Sequence, residues 1–170
     1  MKVIEMNAWD LLTPEEKKKV IADRVERREF LKKINMKLKK IGRSLSNYVE
    51  NNSIKSLKNT IDFINLDEDL ITFNSEKFPE SIVVYRAIPG QTDLEKILQI
   101  ETTKDMVATT QDEKIAEDFI GDNNDFNKGI IIKYSVPKDG IYLMIGKYIN
   151  YMREDILYEE DEVIINPKKI

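Results

Sequence analysis

The stretch SIVVYRAI, residues 81–88, decides the fold. It is short, rich in β-branched and aromatic residues, and bounded by Pro79 on one side and Pro89-Gly90 on the other, which is how a buried strand reads. Downstream the same pattern returns. MVATT (Met106 to Thr110), GIIIKYSV, GIYLMI and DEVIINP each predict a strand, with DEKIAEDFI as a helix carrying Ile115, Ala116 and Phe119 inward. GDNNDFNKG, residues 121–129, is rich in turn formers and predicts a loop.

Upstream the pattern is helical. Thr13-Pro14-Glu15-Glu16 supplies a hydroxyl N-cap, a proline at the first helical position and a glutamate placed to complete a capping box. Val20, Ile21, Val25, Leu31, Ile34, Leu38 and Ile41 then recur at spacings near three and four, an apolar stripe that Gly42 would end. Further helical stretches are expected over Leu45 to Val49 and from Ile54 to Ile64. The expectation is an α+β fold, an N-terminal helical layer packed on a mostly antiparallel sheet of short strands. One domain over residues 1–170 suffices, divided into a basic helical extension (1–43), helices (44–78) and a β-rich core (79–170).

The 170 residues include neither histidine nor cysteine. A Ser-His-Asp triad, a Cys-His pair, a thiolate nucleophile, a disulfide and any His- or Cys-bound metal are therefore excluded. If the chain is an enzyme, carboxylate-centred chemistry leads. The net charge of -4 is unevenly spread: residues 1–43 hold 13 Lys and Arg against 7 Asp and Glu, and the remainder is acidic. A basic stretch of this kind steers toward nucleic acid, lipid or an acidic protein, or is a solvated helix face. No apolar run approaches the roughly 20 residues needed to span a bilayer. MKVIEMNAWDLL lacks the apolar stretch of a signal peptide, so a protein made in the cytoplasm is expected.

Arg86 sits mid-strand among apolar residues, where a guanidinium needs either an internal carboxylate or an anionic ligand such as a phosphate. Glu160 and Glu162 are two apart where a turn becomes a strand, so extended backbone would project both carboxylates to one face. Thr109 and Thr110 end a strand just before a helix, where hydroxyls orient a carboxylate or cap the helix.

A strand bearing Arg, a strand ending in hydroxyls before a helix, and a terminal Glu-x-Glu strand follow one another in the order PESIVVYRAI, MVATTQDEKIAEDF, EEDEVIINP. Over Leu45 to Ile170 this resembles the arginine–serine–glutamate class of mono-ADP-ribosyltransferases, in its clostridial binary-toxin and phage-encoded branch. The diphtheria-like branch of these enzymes has a pocket His where this one has Arg, which a His-free chain cannot supply. The resemblance implies a two-sheet core and NAD as co-substrate, with no metal. It also implies transfer of ADP-ribose to arginine on a target protein, with nicotinamide released. Glu162 would be the catalytic carboxylate, Glu160 the acid associated with an arginine acceptor, and Arg86 the holder of the NAD phosphates. Thr109 and Thr110 would match the second and third residues of Ser-Thr-Ser, with Ala108 where the first Ser normally steadies the glutamate. Tyr85, Tyr48 and, in the 121–129 loop, Phe126 would join the NAD pocket. Tyr158 would be the aromatic contact of the substrate-recognition turn, Tyr151 to Asp161. Delivery into a host or target cell by a partner protein or a phage particle is compatible with this class.

Two other readings contrast with it. In one, the basic helix from Thr13 to Ile41 docks on nucleic acid or an acidic partner and the sheet is an inactive scaffold. Interleaved Asp23, Glu26 and Glu29 and the single aromatic Phe30 argue against nucleic acid. In the other, a glycosidase, two carboxylates on one strand do not flank a sugar from opposite sides.

Overall fold

The computed structural model describes residues 3, 5–121, 128–155, 158 and 161–170. The chain divides into two compact units, Met1–Lys37 and Leu38–Ile170. In the first unit, helix α1 (Pro14–Asn51) opens with the expected capping box: Glu16 N–H donates to Thr13 Oγ1 at 3.2 Å, and Thr13 N–H to Glu16 Oε1 at 3.1 Å. Basic side chains lie over aromatic rings here, Lys17 and Arg24 on Trp9 and Arg27 on Phe30. Ile21 and Val25 of the predicted stripe are about half exposed. Periodicity marks the side that would face a core without supplying one.

In the second unit the stripe is buried at Leu38, Ile41, Leu45 and Tyr48. Gly42 does not end the helix, and Leu45 to Val49 is part of α1 instead of a separate helix. The helix stops nine residues later than predicted, at Asn51, where Asn52 takes the left-handed φ of 54° that asparagine tolerates at a helix end. Gly42 is needed for another reason: a Cβ there would fall 1.9 Å from the Tyr151 carbonyl oxygen. Helix α2 (Ile54–Asn65) is capped by Ser53 and α3 (Glu68–Ser75) by Asp67, each side chain accepting backbone N–H bonds of the first turn.

Strand β1 (Ser81–Pro89) is followed by helix α4 (Leu94–Glu101), β2 (Val107–Thr110), α5 (Glu113–Gly121), β3 (Gly129–Pro137), β4 (Ile141–Met144) and β5 (Glu162–Ile165). The described strands form one antiparallel sheet in the order β3-β1-β2-β5-β4. This is an α+β fold, but the second sheet of the expected core is not found among the described residues. The reason is pairing: GIIIKYSV and GIYLMI become β3 and β4, the two edges of the same sheet.

Register fixes which residues share a face. Val84, Val107, Tyr134, Val136, Val163 and Ile165 form a buried cluster on one side. Strand alternation therefore sends Tyr85, Thr110 and Glu162 to the opposite side, where the register aligns them across three neighbouring strands, Tyr85 with Thr110 and Thr110 with Glu162.

Candidate active site

At this row the sheet holds a cavity of about 320 Å³ lined by Tyr48, Tyr85, Arg86, Thr110, Phe119 and Glu162, with Thr109, Ala108 and Ala116 contributing. Six residues singled out in the sequence thus line one cavity: Tyr48, Tyr85, Arg86, Thr109, Thr110 and Glu162. Phe126 and Glu160 lie outside the described residues.

Glu162 opens β5 and is only 8 % exposed. The chain turns into it at Asp161, whose φ of 47° is left-handed, and Gln111 fixes that turn by donating its N–H to the Asp161 carbonyl at 3.2 Å and its amide to the Asp161 carboxylate at 3.1 Å. A buried carboxylate must be compensated by hydrogen bonds. Tyr48, arriving on α1, donates its hydroxyl to Glu162 Oε1. The Glu162 N–H donates to the Tyr158 hydroxyl at 2.5 Å. Tyr158, expected as the aromatic contact of the recognition turn, thus also ties that turn to the strand that carries Glu162.

The two threonines divide their roles. Thr109 is buried and donates its hydroxyl to the Val163 carbonyl at 2.7 Å, pinning β2 to β5. Thr110 lies across from Glu162 and accepts from the Asp112 N–H at 3.1 Å, starting the turn into α5. Ala108 pairs with Ile164, so the hydroxyl in register with the glutamate belongs to Thr110.

Arg86 has an internal carboxylate partner that the sequence did not reveal. Its Nε donates to Glu101 Oε2 at 2.6 Å and one Nη donates to the Ala108 carbonyl at 3.0 Å. β1 pairs with β3 along its whole length but with β2 in register only at Tyr85–Thr110. The guanidinium therefore bridges a seam that the backbone ladder leaves open. Its second Nη has no partner among the described residues, and the side chain remains 24 % exposed. Glu101 ends α4, a helix that Asp93 caps and that Leu94, Ile97 and Leu98 pattern at helical spacing. Both signals, the cap and the apolar spacing, are legible in QTDLEKILQIE, residues 91–101.

Glu101 is 4 % exposed. Burial opposes its ionisation, but Lys104 Nζ at 2.6 Å and the Arg86 guanidinium outweigh it and hold the carboxyl below its ordinary value of 4.5. A carboxylate with a depressed folded-state pKa stabilises the fold above that ordinary value, and the contribution disappears as pH falls through the lowered one. Glu101→Gln is therefore expected to be less stable than the parent chain at pH 7, and the gap should begin to close only below pH 4.5 and vanish once pH has passed below the lowered folded-state value. Denaturant titrations at pH 7 and stepwise downward from pH 4.5 check this, and a gap that stays constant over the whole acid range in which both proteins remain folded would contradict it.

Among the described residues, no group of three or more carboxylates is placed to hold a metal ion, and no helix is long and apolar enough to cross a membrane. No family model, curated protein or solved structure matches this chain.

Proposed function

We propose that the chain is an NAD-dependent mono-ADP-ribosyltransferase that modifies arginine side chains of a target protein. What supports the reading is that Tyr85, Thr110 and Glu162 share one sheet face and, with Tyr48, line a cavity whose wall also includes Arg86, the guanidinium of which reaches Glu101 and the Ala108 carbonyl across the β1–β2 seam. Its volume lies at the low end of the roughly 300–1,000 Å³ typical of small-molecule sites, suited to the nicotinamide–ribose half of a dinucleotide. The donor set fits that half: rings of Tyr85 and Phe119 for an aromatic base, hydroxyls and a carboxylate for a ribose, a guanidinium edge for a phosphate.

NAD, when bound, supplies an ADP-ribosyl group on nicotinamide, a cationic leaving group. Cleavage at the ribose develops positive charge on the sugar, and Glu162, a preorganised anion held by Tyr48, stabilises that charge as it forms. Arg86 positions the dinucleotide with the edge that Glu101 and the Ala108 carbonyl leave open. Glu160 is assigned to help deprotonate the incoming guanidinium. None of these roles needs an imidazole, a thiol or a metal.

The test is incubation of the purified chain with NAD labelled in its ADP-ribose, with a cell lysate and separately with agmatine as a soluble guanidine. Label is expected on protein and on agmatine, with nicotinamide released, and Arg86→Ala should raise the KM for NAD about tenfold or more while slowing turnover less. No nicotinamide release and no label from the parent chain would overturn the reading.

A further inference from the structure

We propose that Tyr48 is the positioning residue of this site, its hydroxyl holding the Glu162 carboxylate ionised and oriented. The role in the reaction rests on the transferase reading; the hydrogen bond does not. Three observations carry it. Glu162 is buried on the sheet face that meets α1, so its charge needs a donor. Tyr48 is 6 % exposed and donates its hydroxyl to Glu162 Oε1, and of the two groups the phenol is the weaker acid and keeps the proton. Ala108, beside the site on β2, offers no hydroxyl and is in register with Ile164. Among the described residues, the donor to the carboxylate comes from a helix 114 residues away in sequence.

Among the described residues, the titratable and charged groups around Glu162 come from three directions. Tyr48 reaches it from α1, Tyr85 and Arg86 line its cavity from β1, and Tyr158 and Asp161 lie along its own segment. Thr110 from β2 and Ala116 and Phe119 from α5 add no charge. Of these, Tyr48 donates directly to the carboxylate. A hydrogen bond to the charged form favours ionisation and fixes the direction in which the oxygens point.

The experiment is Tyr48→Phe, which keeps the ring and removes the hydroxyl, beside Tyr48→Leu, which removes both. In Tyr48→Phe the acidic limb of the pH–rate profile is expected to move up by about one pH unit, the shift that follows loss of a charge-assisted hydrogen bond. At pH 7 kcat should fall about tenfold while the KM for NAD stays within twofold, because the cavity wall is intact. Tyr48→Leu should add a rise in KM. A rise in KM with unchanged kcat and pH profile in Tyr48→Phe would overturn the proposal and leave Tyr48 as a wall alone. Carbon-13 titration of the Glu162 carboxyl needs no turnover and separates the two readings. An upward shift in Tyr48→Phe supports the hydrogen bond even if the parent chain fails to cleave NAD, and an identical titration in both proteins overturns it.

Discussion

Glu162→Gln is expected to lower ADP-ribose transfer by about 10²- to 10³-fold while leaving NAD affinity within a few fold, the signature of losing a group that acts mainly as charge develops. The substitution is conservative in every respect but charge. A glutamine oxygen still accepts from the Tyr48 hydroxyl, and the backbone N–H still donates to Tyr158. An amide is also cheaper to bury than a carboxylate, so the variant should melt at or above the parent temperature. Loss of activity together with retained or raised stability would separate a catalytic role from a structural one. Retention of more than a tenth of the parent rate, measured as nicotinamide release at saturating NAD, would remove Glu162 from the reaction. The pairing with Thr110 across the strand and the aromatic wall of Tyr85 would then describe a binding cavity only.

The readable and the unreadable parts of this molecule differ for physical reasons. Strands are legible in β-branched runs, and their two-residue period says which side chains of one strand share a face. Which strands neighbour each other was not written locally. GIYLMI pairs with the terminal strand and GIIIKYSV with the first, and that choice decides between one sheet and two. Arg86 shows the same limit. A guanidinium inside a strand demands a partner, so the demand was legible, but Glu101 meets it from the end of a helix fifteen residues on. The resemblance puts Tyr48 in the NAD pocket, but its hydrogen bond to Glu162 depends on how this part of α1 packs on the sheet, which no local pattern encodes. Gly42 was misread because glycine has two uses in helices. It frees the backbone at an end, and it removes a side chain where another backbone comes close.

Gly42→Ala should reverse the usual sign of that exchange. In an exposed helix interior the substitution gains roughly 0.5–1 kcal/mol, since alanine has the higher helix propensity. Here the added Cβ would meet the Tyr151 carbonyl oxygen at 1.9 Å, its carbon at 2.3 Å and the Tyr151 Cβ at 2.8 Å. Two of those atoms are backbone, so no rotamer change relieves the clash, and a loss of about 3 kcal/mol is expected, at the upper end of overpacking costs. The damage should spread along a defined line. Gly42, Ser46 and Glu50 follow at four-residue spacing on α1, and each receives the same segment: Ser46 Oγ accepts the Arg153 N–H at 3.0 Å, and Glu50 pairs with the Arg153 guanidinium at 2.8 Å. That segment leads to Tyr158, whose hydroxyl accepts from the Glu162 N–H. Pushing Tyr151 off the helix therefore loosens the segment whose Tyr158 hydroxyl accepts from the Glu162 backbone N–H, as well as the fold. Thermal melts should show Gly42→Ala about 6–12 °C below the parent, and Lys39→Ala, at an exposed position of the same helix, unchanged. At a temperature where Gly42→Ala is still folded, its kcat should fall more than its KM for NAD rises. A melt equal to or above the parent's would show that the Tyr151 backbone yields freely and that this ridge of α1 does not set the position of the segment leading to Glu162.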